Sequence, residues 1–160
     1  MPRRVSVKSR ALRTKANYSR ENIGFQFALP ASVTNGLYQE GTVIVPASSV
    51  QGTRTISKLR VTVNLGDQAS YAYWALVYVP QGTTANALFS TSGAVNSGSL
   101  YEPNQFVMAS GVIDPNAGNH DIRSPISRKL HSGDFISLIV GTGVGSQTIS
   151  GLVNYSVKYN

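Results

Sequence analysis

Seven cations, Arg3, Arg4, Lys8, Arg10, Arg13, Lys15 and Arg20, stand in the first 20 residues with no carboxylate among them. The chemistry open to such a run is Coulombic. Guanidinium and ammonium groups on a pliable chain hold phosphates by attraction and by releasing condensed counterions, without reading bases. Each phosphate so neutralised on a single strand adds roughly 0.7 to the slope with which log K falls against log salt. Tyr18 lies in the same stretch. It is placed either to stack on a base, a contact worth about 1–3 kcal/mol, or to pack against the wall of the body.

The other seven cations, Arg54, Lys58, Arg60, Arg123, Arg128, Lys129 and Lys158, are offset by all seven acids: Glu21, Glu40, Asp67, Glu102, Asp114, Asp121 and Asp134. The first 20 residues therefore carry the whole net charge of +7, and the body is neutral. A neutral body with a basic arm points to a scaffold that tethers a polyanion, nucleic acid being the usual one.

Other chemistry finds little support. An imidazole stands near a carboxylate at His120-Asp121 and at His131…Asp134, and nowhere else. The chain has no HExxH, no paired-carboxylate motif and no GxSxG elbow, so no catalytic residue is expected. Gly141-Thr-Gly-Val-Gly145 has the spacing of a phosphate loop, but no helical pattern follows it to supply the N-terminal amides, and it reads as a turn. Asp114-Pro-Asn-Ala-Gly-Asn-His-Asp121 gathers oxygen donors without the spacing of a calcium loop, and reads as a turn satisfied internally. There is no cysteine, hence neither disulfide framework nor thiolate metal site. No cofactor and no metal are expected.

The elements that must carry the charged residues are β-type runs separated by Gly, Pro, Asn and Ser. They span Ile23–Leu29, Leu37–Val45, Arg54–Leu65, Tyr71–Val79, Gln105–Ile113, His120–Ser127, Asp134–Gly141 and Thr148–Tyr159. In the third run Leu59, Val61, Val63 and Leu65 share one face, and Lys58, Arg60, Thr62 and Asn64 the other. In the last, Val153, Tyr155, Val157 and Tyr159 are expected inward, and Asn154, Ser156 and Lys158 outward. Tyr71–Val79 is aromatic and nearly continuous, which predicts cover on both faces, with Trp74 in the core. Residues 81–104 form a loop long enough to be a contact surface.

No window has useful helical periodicity, and no apolar run is long enough to span a membrane. The basic start is not followed by the apolar stretch of an export signal, so use without secretion is expected. The expectation is one all-β body, residues 23–160, behind a basic arm, residues 1–22, that is disordered until it meets a partner. Eight strands with crossover-length loops fit a two-sheet sandwich of jelly-roll type better than an immunoglobulin-like one, whose spacing is more even.

Together these features resemble viral coat proteins of the single-jelly-roll kind. More narrowly, Gln105-Phe-Val-Met-Ala-Ser-Gly-Val-Ile113, Ser127-Arg-Lys-Leu-His-Ser-Gly-Asp-Phe-Ile-Ser-Leu-Ile-Val140 and Gly151-Leu-Val-Asn-Tyr-Ser-Val-Lys-Tyr159 resemble a particular group of capsid proteins. That group belongs to small circular, Rep-encoding single-stranded DNA viruses (CRESS-DNA, circovirus-like). The resemblance implies an eight-stranded single jelly roll of two four-stranded antiparallel sheets. The first, third, sixth and eighth strands would form BIDG, and the second, fourth, fifth and seventh CHEF. It further implies a T=1 icosahedral shell of sixty copies enclosing a single-stranded genome, DNA or RNA. Short turns at Pro30–Gly36, Gly66–Ser70, Asp114–Asn119 and Thr142–Gln147 would gather near the fivefold axis.

On that reading the nucleic-acid contacts are Arg3, Arg4, Lys8, Arg10, Arg13, Lys15, Tyr18 and Arg20, extended over the body by Lys58, Arg60 and Lys158. The expected partners are further copies of the chain, the genome and a host receptor of unspecified kind, with no membrane. The expected location is the virion, with passage through the host nucleus if the arm's split basic clusters serve in import. The competing reading is a lectin-like sandwich binding carbohydrate or a receptor, with Phe89 and Tyr101 as sugar platforms. A third is a nucleic-acid-binding accessory protein of low oligomeric order.

Overall fold

The computed structural model describes residues 18–34, 36–66, 71–85, 89, 106–114, 116 and 118–159. The alternating and apolar runs form nine strands: β1 (Ser19–Ala28), β2 (Tyr38–Val45), β3 (Thr53–Asn64), β4 (Ala72–Val79), β5 (Phe106–Ile113), β6 (Asn119–Arg123), β7 (Arg128–His131), β8 (Phe135–Thr142) and β9 (Thr148–Tyr159). All pairings are antiparallel. One sheet runs β1-β9-β3-β6 with β7 also on β3, and the other runs β2-β8-β4-β5. This is the BIDG and CHEF order expected of the jelly roll.

Two expectations are corrected. The strand count is nine: the sixth run stops as a strand at Arg123, with Ser124–Ser127 outside the ladder and Pro125 lacking an amide hydrogen to donate to it, and a further strand beyond the run pairs with the same β3. The segment Arg128–His131, read as a connection, is a strand because it continues along the same partner. The first strand also begins four residues early. Ser19 to Asn22 pair with Val157 to Asn154, so Arg20 sits in the sheet.

The core lies between the sheets. Leu59, Val61 and Val63 of β3, Ile122 of β6, Leu130 of β7 and Val153 of β9 meet Ile44 of β2, Leu76 of β4, Ile113 of β5 and Leu138 of β8. Burying each such aliphatic side chain favours folding by about 1.5–3 kcal/mol. Trp74 joins this layer. Gly111 opposite it leaves the indole room, since a Cβ there would stand 2.9 Å from the ring. β4 is covered on both faces as expected: Ala75, Val77 and Val79 form a second cluster with Ile139, capped by Ala85, Phe89 and Phe135.

The register fixes the polarity of the sandwich. Ala28 pairs with Thr148, Asn64 with Asn119, and Ala72 with both Ile113 and Thr142. The ends of β1, β3, β5 and β8 thus share one end of the molecule, with their connections. The first and last of these loops join there, Leu29 N–H donating to Gln147 O at 2.8 Å. Ser19, Tyr159 and the connections β2–β3, β4–β5 and β7–β8 lie at the opposite end. Most of the long 81–104 loop falls outside the described residues.

Candidate nucleic-acid interface

The outer face of the five-stranded sheet is where the body's charges separate. Alternation with the buried Ile56, Val61, Ile122, Leu130, Val153 and Val157 sends Arg20, Arg60, Arg123, Lys129 and Lys158 to the solvent side. The register sets them in rows. Lys129 and Lys158 flank Thr55, Arg20 and Ser57 flank Ser156, and Arg123 and Asn154 flank Arg60. Further along come Asp121, Thr62 and Leu152, then Asn119, Asn64, Ser150 and Gln26. The cations thus occupy the half of the face nearest Ser19, and the described residues of the half toward the β1–β2 loop include no cation.

Lys58 reaches this face by a different route. Ladder pairing with β9 steps from Ser57 to Arg60 while β9 advances from Ser156 only to Asn154, so β3 carries an extra residue. Lys58 is that bulge, exposed, with φ 55°. The insertion reverses the inward phase, from Arg54 and Ile56 before it to Leu59 and Val61 after it. Opposite the same bulge β6 ends and β7 has not begun, with Ser124 N–H donating to Leu59 O at 3.0 Å.

Among the described residues the one ion pair is Arg60 with Asp121. The Asp121 carboxylate also accepts from Thr62 Oγ1 at 2.7 Å. Hydrogen bonds from Arg60 and then Thr62 hold it below the usual aspartate range. Reciprocally, the hydrogen bond and charge of Asp121 raise Arg60. Arg20, Lys58, Arg123, Lys129 and Lys158 have no carboxylate within ion-pair distance among the described residues. Asp121 is the single described acid on the face.

The residues expected at a nucleic-acid contact divide accordingly. Arg3, Arg4, Lys8, Arg10, Arg13 and Lys15 lie outside the described residues. Tyr18 is exposed at the head of β1, beside the basic rows, and Arg20, Lys58, Arg60 and Lys158 come together on one face. Arg123 and Lys129 join them unforeseen. Alternation about Ile122 was a readable signal for Arg123, whereas Lys129 sat in a segment without recognised strand character. Of the expected inward set on β9, Tyr159 departs: it is 59% exposed. It keeps the inward phase but stands at the mouth of a recess shared with Pro46 and Arg54, where the facing sheet no longer covers it.

Several other chemistry-bearing groups among the described residues are occupied structurally. The Asp134 carboxylate accepts from Tyr78 Oη at 2.7 Å, His131 N–H at 2.8 Å and Gln81 N–H at 3.1 Å. Burial pushes Asp134 up, but these donors outweigh it and hold the group low. Burial first, and then Asp134, push Tyr78 up to about 12. Arg54 is buried, its Nη2 donating to Pro46 O and to Asp134 O at 3.1 Å. Asp114 accepts from Asn116 N–H at 2.9 Å, closing the turn once weighed for calcium. Phe89 lies on Tyr73 at 5.9 Å, and its backbone is clamped by the buried Gln39 amide, Nε2 donating to Phe89 O at 2.9 Å and Oε1 accepting from Phe89 N–H at 3.0 Å. Tyr101 lies outside the described residues. No described helix is long and apolar enough to cross a membrane.

No protein-family model matches the chain, and no curated protein does. Among solved structures, it is similar to a chain from Desmodium yellow mottle tymovirus, with 12% identity, a TM-score of 0.39, and coverage of 100% of this chain and 93% of that one.

Proposed function

We propose that the protein is a viral capsid protein, which assembles copies of itself into a closed T=1 shell and packages single-stranded nucleic acid. The basic residues 1–20 hold the cargo and the jelly roll forms the wall. The observation that carries this reading is the placement of charge on the fold. The chain enters β1 at Ser19, at the end of the sandwich opposite the β1–β2, β3–β4, β5–β6 and β8–β9 loops, and at the basic half of the outer sheet face. The start of β1, into which the arm leads, and the basic rows therefore share one end of the body. A wall with an inside and an outside needs that polarity.

Two further features support it. The jelly-roll strand order is the one the coat-protein resemblance requires. The body's described surface is largely uncharged, made of polar residues and of exposed apolar ones such as Val43, Val50, Val112 and Ile126, and neighbouring copies desolvate such a surface at lower cost than ions. A circular DNA genome of the CRESS-DNA type is the cargo the sequence resemblance favours. The carbohydrate-binding alternative loses support from Phe89, whose ring and backbone are both engaged.

The test is expression and purification of the chain, followed by negative-stain microscopy and absorbance at 260 and 280 nm. Uniform shells containing nuclease-protected nucleic acid are expected. A monomer free of nucleic acid overturns the reading. Replacing Arg3, Arg4, Lys8, Arg10, Arg13 and Lys15 by Ser should leave shells that hold far less nucleic acid, and full packaging by that variant removes the arm's role.

A further inference from the structure

A recess of about 240 Å³ opens on the outer sheet face where the β3 bulge breaks the ladder. Arg20, Glu21 and Asn22 border it from β1 and Lys58 and Arg60 from β3; Asn154, Tyr155 and Ser156 of β9 line it between them, so that the lining holds three cations and one carboxylate. Ser156 is only 8% exposed although its strand phase points outward, as expected of a small hydroxyl at the bottom of a depression. Arg60 is committed to Asp121, and Glu21, on the inward phase of β1, accepts from Ser19 Oγ at 3.0 Å. That leaves Arg20 and Lys58 as the two cations at the recess with no carboxylate partner among the described residues.

The backbone at Lys58 is the second, independent observation. A lysine with φ 55° occupies the left-handed region, which disfavours any residue with a Cβ. Gly or Asn would take that position at lower cost. A strained residue that adds a cation to a sheet face, at a bulge that re-aims a side chain, is better explained by a ligand than by folding.

We propose that this recess is a phosphodiester-binding seat, taking one backbone phosphate of a single-stranded nucleic acid between Arg20 and Lys58. The inference rests on the packaging reading above and deepens it, because it makes the folded wall, and not only the arm, a ligand for the cargo. The seat reads no base, since both groups are donors suited to phosphate oxygens and Asn154 and Ser156 add neutral hydrogen bonding. Lys129 and Lys158 lie in the adjacent row, outside the recess.

The test is fluorescence anisotropy with labelled oligothymidylate over a range of KCl concentrations, using the full-length chain. In a variant whose six arm cations from Arg3 to Lys15 are changed to Ser, weak salt-dependent binding should persist. Adding Arg20→Ser and Lys58→Asn should lower its affinity about tenfold and its log–log salt slope by roughly 0.7–1.4. Asn suits a left-handed position, so the variant's thermal midpoint should not fall, which separates lost binding from lost fold. No binding by the unaltered chain overturns the packaging reading itself. Binding by the unaltered chain that vanishes with the arm changes alone overturns the seat and leaves that reading standing. So does an equal loss from Lys129→Ser, outside the recess, because a diffuse basic face would then account for the binding.

Discussion

Arg60 reaches diagonally across the β3–β6 ladder to Asp121, so that the only described acid on the basic sheet face neutralises one of its cations. The pair is exposed, and pairs of that kind add little to stability. Its effect is on the field of the face, where it divides six cations from a neutral, Asn- and Ser-rich half.

Asp121→Asn should therefore strengthen nucleic-acid binding. Arg60 becomes available to phosphate, and the salt slope for oligothymidylate should steepen by roughly 0.7. Anisotropy titrations of the two proteins check this. An unchanged or shallower slope would show that Arg60 does not face the cargo.

Asp134 should set the acid limit of stability. Its folded pKa is depressed, so it contributes stability above the unfolded aspartate value of about 3.9, and that contribution is lost as pH falls through the folded value. Asp134→Asn should remove this acid dependence and cost about 3 kcal/mol near neutrality, by breaking charged hydrogen bonds to Tyr78, His131 and Gln81. Urea unfolding across pH 2–7, roughly the range over which carboxylates titrate, measures both effects.

Tyr78 should set the alkaline limit. Its folded pKa is raised to about 12, so the stability it supplies is complete below the unfolded tyrosine value of about 10 and is lost as pH rises from there through the folded value. Tyr78→Phe should flatten this alkaline fall. Thermal melts at stepped pH would show it, and an unchanged fall would place the responsible group elsewhere.

Gly151→Ala should unfold or severely weaken the five-stranded sheet. A Cβ at this point of β9 would collide with the Thr62 carbonyl on β3 and the Phe25 ring on β1, and the backbone on the β3 side cannot give way without parting the ladder. Overpacking of this kind costs about 3 kcal/mol. Differential scanning calorimetry should find a large fall in melting temperature, and shells should be scarce.

Much of the architecture was legible because period-two alternation is a local property. Leu59, Val61 and Val63 against Arg60, Thr62 and Asn64 declare a half-wet strand without reference to any neighbour, and Pro30, Pro46 and Pro80 mark where strands stop. The early end of the sixth run and the strand at Arg128–His131 were less so, since Pro125 reads equally as an end or as an interruption. Only the continuous partner, β3, distinguishes the two.

The candidate interface divides along the same line. Net charge is a sum over residue types, so the basic arm and the neutral body are properties of the sequence alone. Where the body's charges lie is not. Lys58 reaches the outer face through a bulge that reverses the phase of its strand, Arg54 ends up inside for the same reason, and Arg20, Lys129 and Lys158 become neighbours only through pairing between chain segments far apart in number. Register is set by long-range hydrogen bonding and by burial of one face against the other sheet, and no local pattern encodes it. The sequence by itself determined that this protein is an all-β body with a cationic arm. The tertiary structure decided that the body, neutral in sum, presents a basic face at the start of β1, the strand that follows that arm in the chain.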